Sequence, residues 1–384
     1  MTGPRIELVD LARLHAPLRD DLLAAAARVF DAGTFVLGSE VERFEADFAR
    51  TVGAAHAAGC ASGTDALVLA LESLGVGAGD RVICPAFSFF ATASAIVRVG
   101  ATPVFADVDP VDSNLDPASA EAACAAVGDA RAIVVADLYG RVAPVDRVRE
   151  IAGTIGAFVV EDAAQAIGAL DADGLPAGSR GDLGCFSLYP TKNLGALGDG
   201  GMVVTSDAER DAAVRRIRSH GIADGGRHES IGLNSRLDAL QAALLSVKLP
   251  YLEKWSEARR SHAAGYRDRF VAALGDPGRV RLQLPREDAA AERHVAHQYV
   301  IRVPADRRDA LRRHLEERGI ASAVYYDTPL HRQPALARVA ETPVPLPCAD
   351  AAAKTGVAIP VHPDLRPDDL DRVADAVCDF LSRR

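Results

Sequence analysis

Cysteine is sparse and unpatterned in this sequence, with six residues among 384, at positions 60, 84, 124, 185, 348 and 378. None stands in a CxxC pair or at a metal-ligand spacing, which argues against a disulfide framework or a structural zinc site. Reduced thiols, no bound metal and a cytoplasmic protein are the simplest expectation. Cys60, Cys84 and Cys185 fall in or beside expected strands and read as small core residues. No apolar run approaches membrane-spanning length, and the start, Met1-Thr2-Gly3-Pro4-Arg5, has no signal-peptide pattern. Neither a membrane nor a secretory role is expected. Positive charge is also in deficit. Lys and Arg number 43 against 53 Asp and Glu, a formal charge of −10, which argues against nucleic acid as a partner. There is no internal repeat and no low-complexity linker. The Ala-rich stretches (24–27, 118–126, 288–291, 351–353) are helix-forming.

What the chain does have is regular alternation. Strand-like runs near 57–60, 81–84, 102–106, 131–136, 157–161, 184–188 and 201–205 alternate with helical stretches such as 64–74, 117–126 and 145–155. That pattern predicts an α/β fold, a mostly parallel sheet with helices on both faces. A long helix over roughly 237–270 is expected to lead into a smaller second unit. There, 297–303 and 321–326 read as strands and 309–318 as a helix. The length suffices for a large domain over 1–250 and a smaller one over 251–384.

The most telling segment is Phe186-Ser187-Leu188-Tyr189-Pro190-Thr191-Lys192-Asn193-Leu194-Gly195, followed by Gly198-Asp199-Gly200-Gly201. It sets one lysine on a tight turn between two short strands, where an enzyme places an amine that must bond a carbonyl cofactor. An isolated loop lysine is usually a solvated one, but here partners lie upstream. Phe158-Val159-Val160-Glu161-Asp162 reads as a buried strand delivering Asp162 at its carboxyl end. An aspartate there suits the pyridine nitrogen of pyridoxal phosphate (PLP), with Gln165 one helical turn on, near the phenolic oxygen. Capping the next helix would explain Asp162 alone, though not its pairing with Lys192. Gly59-Cys60-Ala61-Ser62-Gly63-Thr64 places small residues where a strand gives way to a helix, an anion site if backbone N–H groups are exposed. Gly63, Thr64 and the Ser187 hydroxyl are the expected phosphate contacts. From Phe87-Ser88-Phe89-Phe90, Phe89 is expected to stack on the pyridine face, against the alternative that all three rings are core.

Taken in order, Ser-Gly-Thr-Asp-Ala-Leu (62–67), Pro-Ala-Phe-Ser-Phe (85–89), Glu-Asp-Ala-Ala-Gln-Ala (161–166), the 186–195 segment and Asn-Ser-Arg-Leu-Asp-Ala-Leu-Gln-Ala-Ala (234–243) resemble the DegT/StrS-type sugar aminotransferases. The resemblance runs from about Leu8 to about Leu381. It implies the aspartate-aminotransferase fold (fold type I), with a seven-stranded large domain and a smaller C-terminal α/β domain. It also implies Lys192 as the Schiff-base lysine, Asp162 as the pyridinium partner and Asn234 as a contact to the cofactor phosphate of a neighbouring subunit. A homodimer with shared sites is then expected. The segment 33–38, with Phe35, becomes a substrate loop over the site.

By the same resemblance, the reaction is a two-stage transamination: L-glutamate leaves its amine on PLP, forming pyridoxamine phosphate, and a nucleotide-linked keto sugar takes it up. Tyr189 before Pro-x-Lys and the 192–201 segment look like the group acting at C3. A dTDP-3-keto-6-deoxyhexose is the first expectation, and a UDP-3-keto-N-acetylhexosamine or its uronate the second. The loop Val324-Tyr325-Tyr326-Asp327-Thr328-Pro329 departs from the commoner His-Tyr-Pro form, with Tyr325 in place of His. Tyr325, Tyr326, Arg236 and His331 are substrate candidates, and Lys248 and Arg332 further cations for an anionic substrate. Amination of a 4-keto sugar stays open as an alternative, as do cyclitol amination and aminohydroxybenzoate formation, which use nearly the same motifs. Sugar dehydration would replace Lys192 by His. A regulatory PLP-binding protein is the reading from a different class.

Overall fold

The computed structural model describes residues 4–223 and 225–382. The first three residues of the Met1–Arg5 start, and the last two of the expected 251–384 domain, lie outside them. Among the described residues nine strands form two sheets: β1 (His56–Cys60), β2 (Arg81–Pro85), β3 (Thr102–Ala106), β4 (Ala130–Ala136), β5 (Phe158–Asp162), β6 (Leu183–Ser187), β7 (Gly201–Thr205), β8 (Tyr299–Arg302) and β9 (Gly356–Ile359). The large sheet runs β1-β7-β6-β5-β4-β2-β3. It is parallel except at β7, which is antiparallel to both β1 and β6.

These strands are short and almost wholly apolar because both faces are covered. On one face Ile133, Val135, Val159, Phe186 and Val204 pack against helices Arg19–Ala32, Ser39–Thr51, Val145–Ile155 and Ala239–Lys248. On the other, Val82, Val134, Val160, Cys185 and Val203 meet helices Gly63–Ser73, Phe90–Arg98, Ala208–Ile217 and Pro347–Thr355. A third core holds the antiparallel β8–β9 pair, with Tyr266, Phe270, Tyr299, Ile301, Leu311 and Val373. Ile6 joins this third core and bridges Ile320. Leu330, Leu336 and Ala349 pack instead on the large sheet. The large-sheet and small-sheet cores therefore interleave along the chain, and residue 250 is not a clean divide between them.

Three sequence expectations need correction. The helix expected over 237–270 is two, Ala239–Lys248 and Leu252–Leu274, joined by a turn at Leu249–Tyr251. Pro250 sits in that turn; it lacks an N–H and its ring blocks the preceding helical carbonyl. The segment 321–326 is no strand: Ala323 makes a single bridge to Ala358, after which the chain turns back to the large domain. There Leu330 N donates to the Ala86 carbonyl at 2.8 Å, and the Tyr326 ring lies 6.0 Å from those of Phe87 and Phe89. The helix expected over 309–318 spans Ala305–Glu316, starting directly after Pro304, whose fixed φ suits a helix entry. No helix among the described residues is long and apolar enough to cross a membrane.

Candidate active site

Parallel strands end together, and the loops that leave their carboxyl ends line a common cleft. Here the ends of β1, β2, β4, β5 and β6 open into one cavity of about 530 Å³. Its lining includes Gly63, Thr64, Phe89, Asp162, Gln165, Ser187, Tyr189, Lys192, Tyr325 and Tyr326.

Asp162 is the last residue of β5 and is 7% exposed. Its Oδ2 accepts from the Thr92 hydroxyl at 2.7 Å and its Oδ1 from Ala164 N at 3.3 Å. Burial pushes its carboxyl up, opposed by the Thr92 hydrogen bond and by the Lys192 charge. Lys192 sits on the turn after β6, closed by Lys192 N donating to Tyr189 O and Ala196 N donating to Leu188 O. Gly195 permits that closure, since a Cβ there would lie 2.3 Å from the Pro190 carbonyl oxygen. Burial brings the Lys192 ammonium down to about 8, with Asp162 acting the other way. The result is a buried carboxylate facing an amine that loses its proton within reach of neutral pH.

The phosphate cradle has equally local causes. Ser62 caps helix Gly63–Ser73 by accepting from Asp65 N at 3.1 Å. The N–H groups of Gly63 and Thr64 occupy the first positions of that helix, where no carbonyl one turn back can take them. A Cβ on Gly63 would stand 2.6 Å from the Ser187 Cβ, so only glycine lets the helix start approach β6 so closely. The group these residues suit is PLP. The helix start with two hydroxyls fits a phosphate, and the buried acid at a strand end fits a ring nitrogen that must stay protonated. An amine of lowered pKa fits the aldehyde.

Gln165 lines the cavity, yet both ends of its amide are engaged. Oε1 accepts from Tyr139 N at 2.8 Å, and Nε2 donates to the Tyr326 hydroxyl at 3.1 Å. Of the three phenylalanines, Phe87 is core at 1% exposed while Phe89 is 54% exposed at the cavity wall.

Phe35, Asn234, Arg236 and His331 do not line the cavity. Phe35 is exposed, edge-on to Phe30, and its carbonyl accepts from Ala239 N at 3.0 Å. Asn234 faces outward and accepts from Arg236 Nε at 3.0 Å. Between them, buried Ser235 donates to Asp65 Oδ2 at 2.7 Å, which fixes both neighbours beside the cradle's helix. The His331 ring instead pairs with Asp350 at 3.3 Å and meets Phe105 edge-on, behind the sheet end. Arg332 also binds Asp350. Lys248 is buried behind the lysine turn, donating to the Gly195 carbonyl and lying 2.9 Å from His15 Nε2. Among the described residues, Lys192 is the only cation in the cavity lining. Sequence reading missed Ser88, Thr92, Asp199, His297 and Gln298, all near or in this lining. The one available signal was Thr92, three residues after Phe89 and so on the first turn of its helix.

Comparison with known proteins identifies the family. Residues 17–378 match the model of the DegT/DnrJ/EryC1/StrS aminotransferase family, and the chain belongs to that family. It is 43% identical over 372 residues to the UDP-N-acetyl-3-dehydro-alpha-D-glucosamine 3-aminotransferase of Acidithiobacillus ferrooxidans, covering 97% of each chain. It is 40% identical to the dTDP-3-amino-3,4,6-trideoxy-alpha-D-glucose transaminase of Streptomyces venezuelae, covering 99% of this chain and 97% of that one. A Geobacillus stearothermophilus relative called a pleiotropic regulatory protein is 43% identical, with 98% of each chain covered. The solved structure of S. venezuelae DesV in complex with a ketimine intermediate superposes with a TM-score of 0.92, at 40% identity and full coverage of both chains. The protein is therefore an aminotransferase, with the aspartate-aminotransferase-like fold of PLP enzymes.

Proposed function

We propose that this chain moves the amino group of L-glutamate to the 3-keto group of a nucleotide-linked sugar, using PLP and passing through pyridoxamine phosphate. One observation carries the reading: Asp162 and Lys192 face a single cavity whose wall is the glycine cradle of Gly63 and Ser187. When bound, PLP supplies an electron sink for the charge left as the substrate's α-proton departs. Asp162 keeps the ring nitrogen protonated, and Thr92 and Ser88 hold that carboxylate in place. Lys192 takes the proton and returns it. Phe89 and Tyr326 bound the ring's space, and Gly63, Thr64 and Ser187 hold the phosphate.

With Lys192 as the lining's one cation among the described residues, the anionic nucleotide sugar needs positive charge from elsewhere. Outward-facing Asn234 and Arg236, fixed by Ser235, together with Phe35, suit the mouth of a second copy's cavity. A homodimer with shared sites would give Asn234, Arg236 and Phe35, which lie outside this chain's own cavity lining, a place at a site. The relatives acting on dTDP- and UDP-linked 3-amino sugars support C3. The Tyr189 motif supports the C3 group, within which a dTDP-3-keto-6-deoxyhexose is the first reading and a UDP-3-keto sugar the second. A non-catalytic regulatory role is favoured by the names of two relatives, a pleiotropic regulatory protein and a sensory transduction protein, and Lys192 with its tuned surroundings speaks against it. All six cysteines are unpaired, which suits work in the cytoplasm.

The test is a visible spectrum of the PLP-loaded protein with L-glutamate added, beside Lys192→Ala. Conversion of the bound cofactor to its pyridoxamine form in wild type alone supports transamination, and return of the original band on adding dTDP- or UDP-linked keto sugars identifies the acceptor. A bound cofactor that ignores glutamate and other amino donors refutes it.

A further inference from the structure

Ser62-Gly63-Thr64-Asp65 has the spacing of a capping box. In that motif a hydroxyl accepts from the N–H three residues on, and the acid there accepts from the first residue's N–H in return. Only half of it forms. Ser62 Oγ accepts from Asp65 N at 3.1 Å, but the return bond from Ser62 N to the Asp65 carboxylate is not made. Asp65 turns instead to a residue 170 positions away, its Oδ2 accepting from the Ser235 hydroxyl at 2.7 Å. The same Ser235 Oγ accepts from Ala61 N at 3.2 Å, so one hydroxyl holds both flanks of the turn. Ser235 is fully buried, and its own N–H donates to the Arg218 carbonyl at 2.9 Å. Arg218 is anchored in turn on Glu45 Oε1 at 2.6 Å and on the Gly59 carbonyl at 2.7 Å. The hydroxyl therefore stands on a fixed frame. Ser62, Gly63 and Thr64 line the cavity, and Asp65 does not. A free carboxylate in the first turn is drawn to the positive end of its helix. There it competes with a phosphate for the same N–H groups.

We propose that Ser235 is a positioning residue for the phosphate cradle: by giving its proton to Asp65 it draws that carboxylate off the helix start and leaves the N–H groups of Ser62, Gly63 and Thr64 to an incoming phosphate. The proposal rests on the reading of these residues as the PLP phosphate site. Without the Ser235 hydroxyl, Asp65 closes the capping box, occupies Ser62 N and sets a negative charge against the phosphate.

The experiment follows backbone amide exchange over 62–64 in the full chain without PLP, beside the dissociation constant for PLP. In Ser235→Ala the Ser62 amide should exchange roughly tenfold more slowly than in wild type. PLP should bind about tenfold more weakly, the scale of one hydrogen bond to a charged group. Adding Asp65→Ala to Ser235→Ala removes the competing carboxylate and should return exchange and affinity to the wild-type level. Loss of packing or of the Ala61 contact alone would not be rescued in this way. An unslowed Ser62 amide in Ser235→Ala, or a double variant no better than the single one, overturns the proposal. If Ser235→Ala does not fold, Ser235→Cys puts a weak donor in the same space and is read the same way. The exchange measurement uses no cofactor, which separates the two readings. Slowed exchange with unchanged PLP affinity overturns the cradle as phosphate site, and the proposal with it, whereas unslowed exchange overturns the proposal and leaves the cradle standing.

Discussion

The Thr92 hydroxyl donates to Asp162 Oδ2 at 2.7 Å, and because its proton is committed there, the Ser88 hydroxyl must be the donor in the 2.8 Å contact between them. This chain of two hydroxyls, both buried, opposes the upward push that burial gives the carboxyl at the end of β5. Thr92→Val removes the donor and lets burial push Asp162 higher still. PLP affinity should fall about ten- to a hundredfold, since hydrogen bonds to charged groups contribute about 1.5–3 kcal/mol. The pH above which the cofactor binds tightly should also move up. Equilibrium binding read by fluorescence across pH checks both.

Gly63→Ala tests the cradle. Its Cβ would meet Ser187 Cβ at 2.6 Å and Ser187 Cα at 3.0 Å, the second a backbone atom that cannot swing aside. We expect a loss of about 1–3 kcal/mol in stability and a larger loss in PLP occupancy. Thermal melts with and without PLP separate the two effects.

Lys192 should leave a signature in stability against pH. Its pKa falls from 10.5 to about 8 on folding. Between those values the unfolded chain holds a proton that the folded chain has released, so this group's contribution to stability rises with pH across that window. Below it, the buried charge opposes folding. In the chain without PLP, Lys192→Met should therefore melt higher at pH 7, by on the order of 2 °C. The gain should shrink as pH passes 8. Calorimetry at neutral, mildly alkaline and strongly alkaline pH is sufficient.

Lys248 supports the turn from behind through the Gly195 carbonyl. Lys248→Met leaves that buried acceptor unpaired, a loss of about 1–3 kcal/mol. Amide exchange over 192–197 should accelerate roughly tenfold, with little change in β3. Hydrogen exchange read by mass spectrometry shows whether the effect is confined to the turn.

Mixing two inactive variants, Lys192→Ala and Asn234→Ala, tests the shared site. If Asn234 serves its neighbour's cavity, random dimers restore roughly a quarter of wild-type sites. No recovery on mixing means that each cavity is complete within one chain.

The strands of the large sheet were legible because parallel buried strands are short apolar runs ending where chemistry begins. Asp162 and Lys192 could be read from such ends alone. Pro250 was equally visible, yet the periodic residues either side of it carried the reading of one long helix. The segment 321–326 has the residues of a strand, and only its packing of Tyr326 against Phe87 and Phe89 turns it away. His331 and Lys248 carried charge in the right neighbourhood of the sequence, but Asp350 and the Gly195 carbonyl hold them elsewhere.

By itself, the sequence determined the alternating α/β pattern, the lysine turn, the acid at a strand end and the glycine-rich helix start. Each depends on neighbours within a few residues, through period, capping or backbone freedom. Only the tertiary structure decided which distant groups tune them. Thr92 meets Asp162 across 70 positions, and Asn193 meets His297 across 104. Contacts at such separations arise from how the sheet and its covering helices stack, for which no local pattern exists.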